Sequence, residues 1–459
     1  MEQQRVSPNG QRAEKGYSDM IVMKFGGTSV GNAERIKHVS KLIEADGRKI
    51  VVLSAMSGVT NQLVEIASCF YPPSNRQGAL RLLGELQQRY DEVIDALYRK
   101  DSSKQKAKKV VEEHILFIRS FKEDYFTDFE ERQILARGEM ISVEMMRLYL
   151  MEQGVEALVL PALEYMRTNK HGEPDLPRIK ELLLPLLETN PTTQIFLTEG
   201  YICRNAYLEV DNLKRGGSDY TASLVGAAID AKEIQIWTDI DGMHNNDPRI
   251  VDHTTPVHLL HFDEAAELAY FGAKILHPTC IHPAKMGNIP VRLLNSLDPM
   301  AEGTLISNRM VEGKIKAVAA KDGITALRIL STRMLLAHGF FRKVFEVFER
   351  HQTPVDMVTT SEVAVSLTID NTSRLEEILS ELKLFSQVSV DEGMTIISIV
   401  GDLNWKNVGF ESEVIKALEE LPVRMISYGG SNYNVSILVR HEDKEHSLKL
   451  LSQHLFGVK

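Results

Sequence analysis

A short apolar run, Met20-Ile21-Val22-Met23-Lys24-Phe25, stops at the pair Gly26-Gly27. After a helical stretch to about Glu44 a second run follows, Lys49-Ile50-Val51-Val52-Leu53-Ser54. No other feature constrains the chain as much. Near-continuous apolar strands are buried on both faces, and two joined through a helix lie parallel. The chain therefore opens as a βαβ unit, and an α/β fold with a parallel sheet is expected. Ala157–Leu160, Gln194–Thr198, Glu233–Trp237 and Ile289–Leu294 read as further strands, the last closing the first domain. Tyr220–Asp230 reads as a helix. From about Arg76 to Leu150 the pattern is a helical insert: Leu80, Leu83, Leu86, Tyr90 and Ile94 recur at helical spacing, and another helix runs from Asp128 through Glu139 to Leu150.

Beyond residue 300 the pattern changes. Strand Ile324–Leu330, helix Gly339–Arg350, strands Val355–Thr359 and Val363–Ile369 and helix Arg374–Leu382 form one cycle. Strand Met394–Val400, helix Val408–Leu421, strands Val423–Ser427 and Asn434–Val439 and helix Lys444–Leu455 form another. Such a βαββα repeat of about seventy residues suits paired binding modules better than a seat of catalysis.

Composition excludes several classes. The 459 residues carry 53 basic and 63 acidic side chains, a net charge of −10, which argues against a dedicated nucleic-acid binder. Cys69, Cys203 and Cys280 stand far apart, as free thiols in a reducing compartment do. No apolar run reaches the roughly eighteen residues of a membrane helix. Residues 1–19 lack the apolar core of a signal peptide and read as a disordered extension, so a cytoplasmic enzyme is expected.

Four stretches could carry chemistry. Lys24-Phe25-Gly26-Gly27-Thr28-Ser29 joins a buried strand to a helix, where backbone amides and an ammonium can approach an anion. An ordinary βα turn is the competing reading, and neither a Walker loop nor a GxGxxG fingerprint occurs. Arg215-Gly216-Gly217-Ser218-Asp219 repeats the arrangement with a guanidinium suited to a carboxylate, although Ser218 or Asp219 could simply cap the helix. Trp237-Thr238-Asp239-Ile240-Asp241-Gly242, continuing to Asp247-Pro248-Arg249, ends a strand where α/β sheets bind ligands. Phe271-Gly272-Ala273-Lys274 ends a helix, a place where a lysine also serves the helix dipole. The histidines, His277 and His282 beside prolines among them, suggest no metal site.

Together these stretches resemble aspartate kinase. Lys24 to Val30, Ser54-Ala55-Met56-Ser57-Gly58-Val59-Thr60-Asn61, Arg137-Gly138-Glu139, Arg215 to Thr221, Trp237-Thr238-Asp239 and Phe271 to Lys274 follow in the family's order. The resemblance runs from about Met20 to the C-terminus. It implies an amino-acid-kinase fold, a parallel-rich central sheet with helices on both faces, over 20–300. Two ferredoxin-like ACT domains would follow: 314–390 would hold a strand of the second ACT domain plus the first, and 391–459 the remainder of the second. With the chain ending there, a monofunctional enzyme is expected.

The same resemblance implies ATP-dependent phosphorylation of the aspartate side-chain carboxylate, ATP arriving with Mg²⁺. Lys24 and Asp219 would be catalytic, Asp219 orienting Lys24. Thr60, Glu139, Arg215, Gly216, Gly217 and Ser218 would hold aspartate, Glu139 at the α-ammonium and Arg215 at a carboxylate. Lys24, Phe25, Gly26, Gly27, Thr238, Asp239, His244, Arg249, Lys274 and Ile275 would surround the nucleotide. In the regulatory half Asp356 would receive an effector's ammonium, with Met334, Phe340, Phe341 and Val355 around it, although the apolar members also read as plain ACT core. Lysine is the favoured effector, with threonine or weak regulation as the alternatives. A homodimer through the ACT domains is implied, and no membrane or nucleic-acid partner.

Some positions depart from the family's pattern. Lys214 stands where a glycine is expected and His244 where a tyrosine is common, while Ala337 and Pro354 replace two serines of a lysine pocket. A kinase for another amino acid, such as glutamate, and a catalytically silent amino-acid sensor are the competing readings.

Overall fold

The computed structural model describes residue 17 and residues 19–457, apart from 46, 122–124, 215, 273–275 and 332–338. The chain forms two compact units, one running to Asp239 with His282–Arg292, the other comprising Ile240–Ile281 and the chain from Leu293 onward. No helix among the described residues is long and apolar enough to cross a membrane.

In the first unit the elements follow as β1 (Ile21–Phe25), α1 (Ala33–Ile43), β2 (Lys49–Leu53), α2 (Val59–Ser68), α3 (Arg76–Leu97), α4 (Asp101–Arg119), α5 (Asp128–Leu135), α6 (Arg137–Glu152), β3 (Leu158–Val159), α7 (Ala162–Tyr165), α8 (Leu176–Glu188), β4 (Ile195–Glu199), β5 (Ile202–Arg204), β6 (Val210–Asn212), α9 (Gly217–Ala228) and β7 (Glu233–Thr238). The sheet order is β3-β4-β2-β1-β7 with every neighbour parallel. All five residues of β2 are buried, as a central strand covered on both faces requires. Phe25 lies opposite Leu53 on one side and Trp237 on the other. The carboxyl ends of β1, β2, β4 and β7 therefore reach the same edge, where open α/β sheets bind ligands.

The helix expected from Asp128 to Leu150 is two helices, α5 and α6, meeting at Ala136. There Arg137 Nε donates to the Gln133 carbonyl at 3.1 Å, while a Thr127–Glu130 capping box fixes the start of α5.

In the second unit β8 (Leu259–His261) leads into α10 (Phe262–Tyr270). Part of α11 (Pro278–Met286) and the start of β9 (Val291–Asn295) belong to the first unit, where the Ile234 amide donates to the Pro290 carbonyl at 2.9 Å. Ile289–Leu294, expected to be the last strand of the first domain, is followed by another in the same sheet. β10 (Thr304–Ser307) follows it and pairs in parallel with β8. Strands of three and four residues are too short for a period to be read from sequence.

The remaining elements are β11 (Ile315–Leu330), α12 (Phe340–Arg350), β12 (Val358–Thr360), β13 (Ala364–Ile369), α13 (Leu375–Leu382), β14 (Gln387–Gly401), α14 (Phe410–Ala417), β15 (Met425–Ser427), β16 (Asn434–Arg440) and α15 (Lys444–Phe456). They build one six-stranded antiparallel sheet in the order β12-β13-β11-β14-β16-β15. The runs Lys314–Lys321 and Ile324–Leu330 are one strand. β11 passes Gly323, at φ +75°, with register shifts on either side of Ile324, and pairs with β14 both before and after them. Two cores flank this sheet: Leu327, Ile329, Phe340, Val344, Leu367 and Ile378 in one, Val318, Ile397, Ile399, Val414, Ile437 and Leu448 in the other.

Candidate active site

At the carboxyl edge of the first unit's sheet lies a cavity of about 400 Å³, whose walls include Lys24, Gly27, Ser54–Gly58, Thr60, Asn61, Glu139, Tyr201, Lys214 and Gly216–Asp219. Lys24 leaves β1 one residue before its end, and its ammonium meets Asp219 Oδ1 of α9 at 2.5 Å. Both side chains are partly open, 12% and 14% exposed, so the pair sits at the cavity wall and not in the core.

The backbone around the pair is held closely. The Ser57 amide donates to the Gly27 carbonyl at 3.0 Å and the Gly200 amide to the Leu53 carbonyl at 2.9 Å. A Cβ on Gly27 would come within 2.7 Å of the Ala55 carbonyl, so only glycine lets these two strand ends approach. Gly216 stands at the N-cap of α9 with φ +70°, and this turn brings the first residues of the helix to the cavity wall. The helical insert braces the same loop from outside, because Arg89 of α3 donates to the Ser57 carbonyl at 2.5 Å.

Glu139, in the first turn of α6, is 3% exposed. One carboxylate oxygen accepts the Ala55 amide at 3.3 Å, and the other has no partner. Burial pushes its carboxyl up to about 8, only partly offset by the Ala55 bond, with Glu199 adding like charge. A buried oxygen without a donor is costly, and an arriving ammonium would relieve it.

Lys24, Asp219, Thr60, Glu139, Gly27, Gly216, Gly217 and Ser218 are thus gathered around one cavity. Arg215, Lys274, Ile275 and Met334 lie outside the described residues. Phe25 stacks on Trp237 with ring centroids 5.8 Å apart, and the Gly26 amide donates to the Trp237 carbonyl, joining β1 to β7. Thr238 ends β7 in the first unit and Asp239 follows it, the Thr238 hydroxyl donating to Asp239. His244 and Arg249 lie in the second unit. The His244 ring is fixed at both nitrogens, 2.8 Å from Asp241 and from Thr254. Arg249 forks onto Asp247 at 2.9 and 2.7 Å and holds that carboxyl below its ordinary range.

Sequence reasoning missed Tyr201. It follows Glu199-Gly200 at the end of β4, lines the cavity and is held at φ +68° with its amide on the Thr221 hydroxyl. A strand end followed by glycine, at the edge already marked by Gly26 and Gly27, was the available signal.

Phe340 is 7% exposed and packs in an ACT-like core against which Val355 also rests, while Phe341 is exposed. Asp356 instead lines a cavity of about 250 Å³ with Tyr270, Met357, Ser427, Ser431 and Asn434.

The chain matches the model of the amino acid kinase family over residues 19–295 and that of the ACT domain over 397–455. It is 33% identical to lysine-sensitive aspartokinase 3 of Escherichia coli K12, spanning 96% of this chain and 100% of that one. It is 36% identical to chloroplastic aspartokinase 3 of Arabidopsis thaliana over 95% of this chain and 81% of the relative. Among solved structures it resembles E. coli aspartokinase III in complex with aspartate and ADP, an R-state, with a TM-score of 0.81 at 33% identity over 95% of this chain and 100% of the other. The T-state of the same enzyme, with lysine and aspartate, matches with a TM-score of 0.78 over 96% of this chain and 100% of that one. With relatives of that identity along nearly its whole length and both family models in order, the chain belongs to the aspartokinases, enzymes that phosphorylate aspartate under allosteric control.

Proposed function

We propose that the protein transfers the γ-phosphoryl group of Mg-ATP to the side-chain carboxylate of L-aspartate, giving 4-phospho-L-aspartate and ADP, on the route toward lysine, threonine and methionine. The observation that carries this reading is the open Lys24–Asp219 pair sharing one cavity with the unpartnered oxygen of Glu139. The nucleophile needs no general base, since an aspartate carboxylate of pKa about 3.9 is ionised at neutral pH. Its oxygen forms the new bond to phosphorus as the bond from phosphorus to the ADP oxygen breaks. The barrier lies in bringing an anion to a polyanion, which positioning and positive charge lower. Lys24 holds the transferring group, Asp219 orients Lys24, and the Gly26-Gly27 backbone lets the phosphates approach closely, with Gly27 as the amide donor and Gly26 tied by its own amide to Trp237. Glu139 takes the substrate ammonium and Arg215 a carboxylate, with Thr60, Gly216, Gly217 and Ser218 completing the aspartate site. Phe25, Thr238, Asp239, His244, Arg249, Lys274 and Ile275 serve the nucleotide. The Mg²⁺ enters on the nucleotide phosphates.

We further propose that ACT domains over 314–459 inhibit the enzyme when an amino-acid effector, lysine in first place, sets its ammonium on Asp356. The protein would act as a cytoplasmic homodimer paired through those domains. The buried, unpartnered Oδ2 of Asp356 supports the effector reading. A hydroxylamine trap with Mg-ATP and L-aspartate, repeated with L-lysine, tests both parts. Aspartyl hydroxamate suppressed by lysine is expected; its absence from a folded, ATP-binding protein would sink the catalytic reading.

A further inference from the structure

The carboxylate assigned to the effector already holds an ammonium of this chain. Lys321 of β11 places Nζ 2.8 Å from Asp356 Oδ1 and 2.9 Å from Asp370 Oδ2. The same Nζ lies 4.5 Å from the centre of the Tyr270 ring, whose hydroxyl donates to Asp356 Oδ1 at 2.9 Å. A carboxylate, a second carboxylate and an aromatic face around one ammonium are the recognition elements that a free amine would need. The cage is built: the Asp356 side chain is 1% exposed, and its other oxygen is buried and unpartnered. Burial alone would lower the Lys321 ammonium, but its bonds to Asp356 and Asp370 outweigh that and hold it above the usual range.

A tethered group competes at an effective concentration far above that of a free amine. An effector ammonium that reaches the unpartnered Oδ2 of Asp356 therefore meets the like charge of Lys321 already seated on Oδ1 of the same sealed carboxylate, and repulsion there favours release of Lys321. The displaced ammonium has a seat ready, since the Asp370 side chain is 39% exposed and in contact with it. Lys321 also adjoins the register shift of β11, where a strand departs from regular pairing. We propose that Lys321 is a built-in competitor for the amine effector, and that effector binding moves its ammonium from Asp356 onto Asp370. This rests on the reading that Asp356 receives the effector.

Titration calorimetry of the full chain with L-lysine tests it. Lys321→Met should bind L-lysine about tenfold tighter than the unaltered chain, a coupling of ordinary allosteric size. Asp356→Asn should abolish binding. Asp370→Asn changes a more exposed side chain and leaves the buried pair intact. By removing the second seat it should weaken L-lysine binding several-fold, so the test survives if Lys321→Met does not fold. Equal affinities for the unaltered chain, Lys321→Met and Asp370→Asn, with loss in Asp356→Asn, overturn the competition and leave the effector reading standing. Binding unaffected by Asp356→Asn overturns both, as does no binding by either the unaltered chain or Lys321→Met.

Discussion

Two lysine–aspartate pairs of similar length serve the two units in opposite ways. Lys24 and Asp219 meet at 2.5 Å at the edge of a parallel sheet, both partly open to a cavity. Lys321 and Asp356 meet at 2.8 Å with the carboxylate sealed, and the ammonium is shared with Asp370 and the Tyr270 ring. The first lysine has one described ion-pair partner and can turn its charge toward a visiting phosphate. The second is surrounded by Asp356, Asp370 and the Tyr270 ring, so a cation that binds there meets a charge already in place. Solvation makes the difference: charges at a cavity wall keep water until substrate replaces it, whereas a sealed carboxylate left alone bears a large desolvation penalty.

The sharpest test of the open pair is Lys24→Ala, which should lower turnover about 10³-fold, the size of a lost transition-state charge contact. Circular dichroism and thermal melting should remain near those of the unaltered protein, and near-normal turnover would remove Lys24 from the proposed mechanism. In the regulatory unit the contrasting change is Phe340→Ala. It empties part of a buried core, so unfolding in urea should show a loss of about 3 kcal/mol while activity without effector persists.

Glu139→Gln should raise the aspartate KM about 10- to 100-fold, through loss of a charged hydrogen bond, with a smaller effect on kcat. The same residue predicts a pH dependence. Its folded pKa, about 8, lies above the ordinary carboxylate value, so between roughly pH 4.5 and 8 the folded chain keeps a proton that the unfolded chain releases. Its contribution to stability is intact below that window and falls as pH rises through it. Aspartate affinity rises over the same range, because the ammonium needs the ionised form. Melting and binding curves between pH 5 and 9 should show both slopes, and Glu139→Gln should flatten them.

The smallest effect concerns Lys214, held at φ +60° on the cavity wall. Lys214→Gly should stabilise the fold by about 1 kcal/mol by relieving the left-handed backbone. If the added charge assists the substrate, calorimetry and kinetics will part company, with Tm rising as aspartate KM worsens.

Much of this was legible in sequence because it is local. Apolar runs ending in glycine mark β1 and β2, and the periods after residue 323 place α12, β13, α13, β16 and α15 within a residue or two. Lys24 and Asp219 were named together through the family's motif order, since nothing local links positions so far apart. The Lys321–Asp356–Tyr270 cage carried no such motif: its members come from β11, the approach to β12 and the end of α10. Phe340 and Val355 carried two readings, because apolar residues at helix starts and strand approaches look alike whether they line a pocket or fill a core, and both pack at the core here.

The continuity of β11 has a consequence for heredity. Val318 packs in one core beside Ile397 and Leu448, while Leu327, nine positions later on the same strand, packs in the other beside Phe340 and Leu367. A crossover between related genes anywhere from residue 322 to 390 would therefore part Val318 from the partners that bury it. Modules joined in this way are inherited together, and even a segment exchanged from about residue 314 onward has to match Val251, which is buried in the same core as Val318.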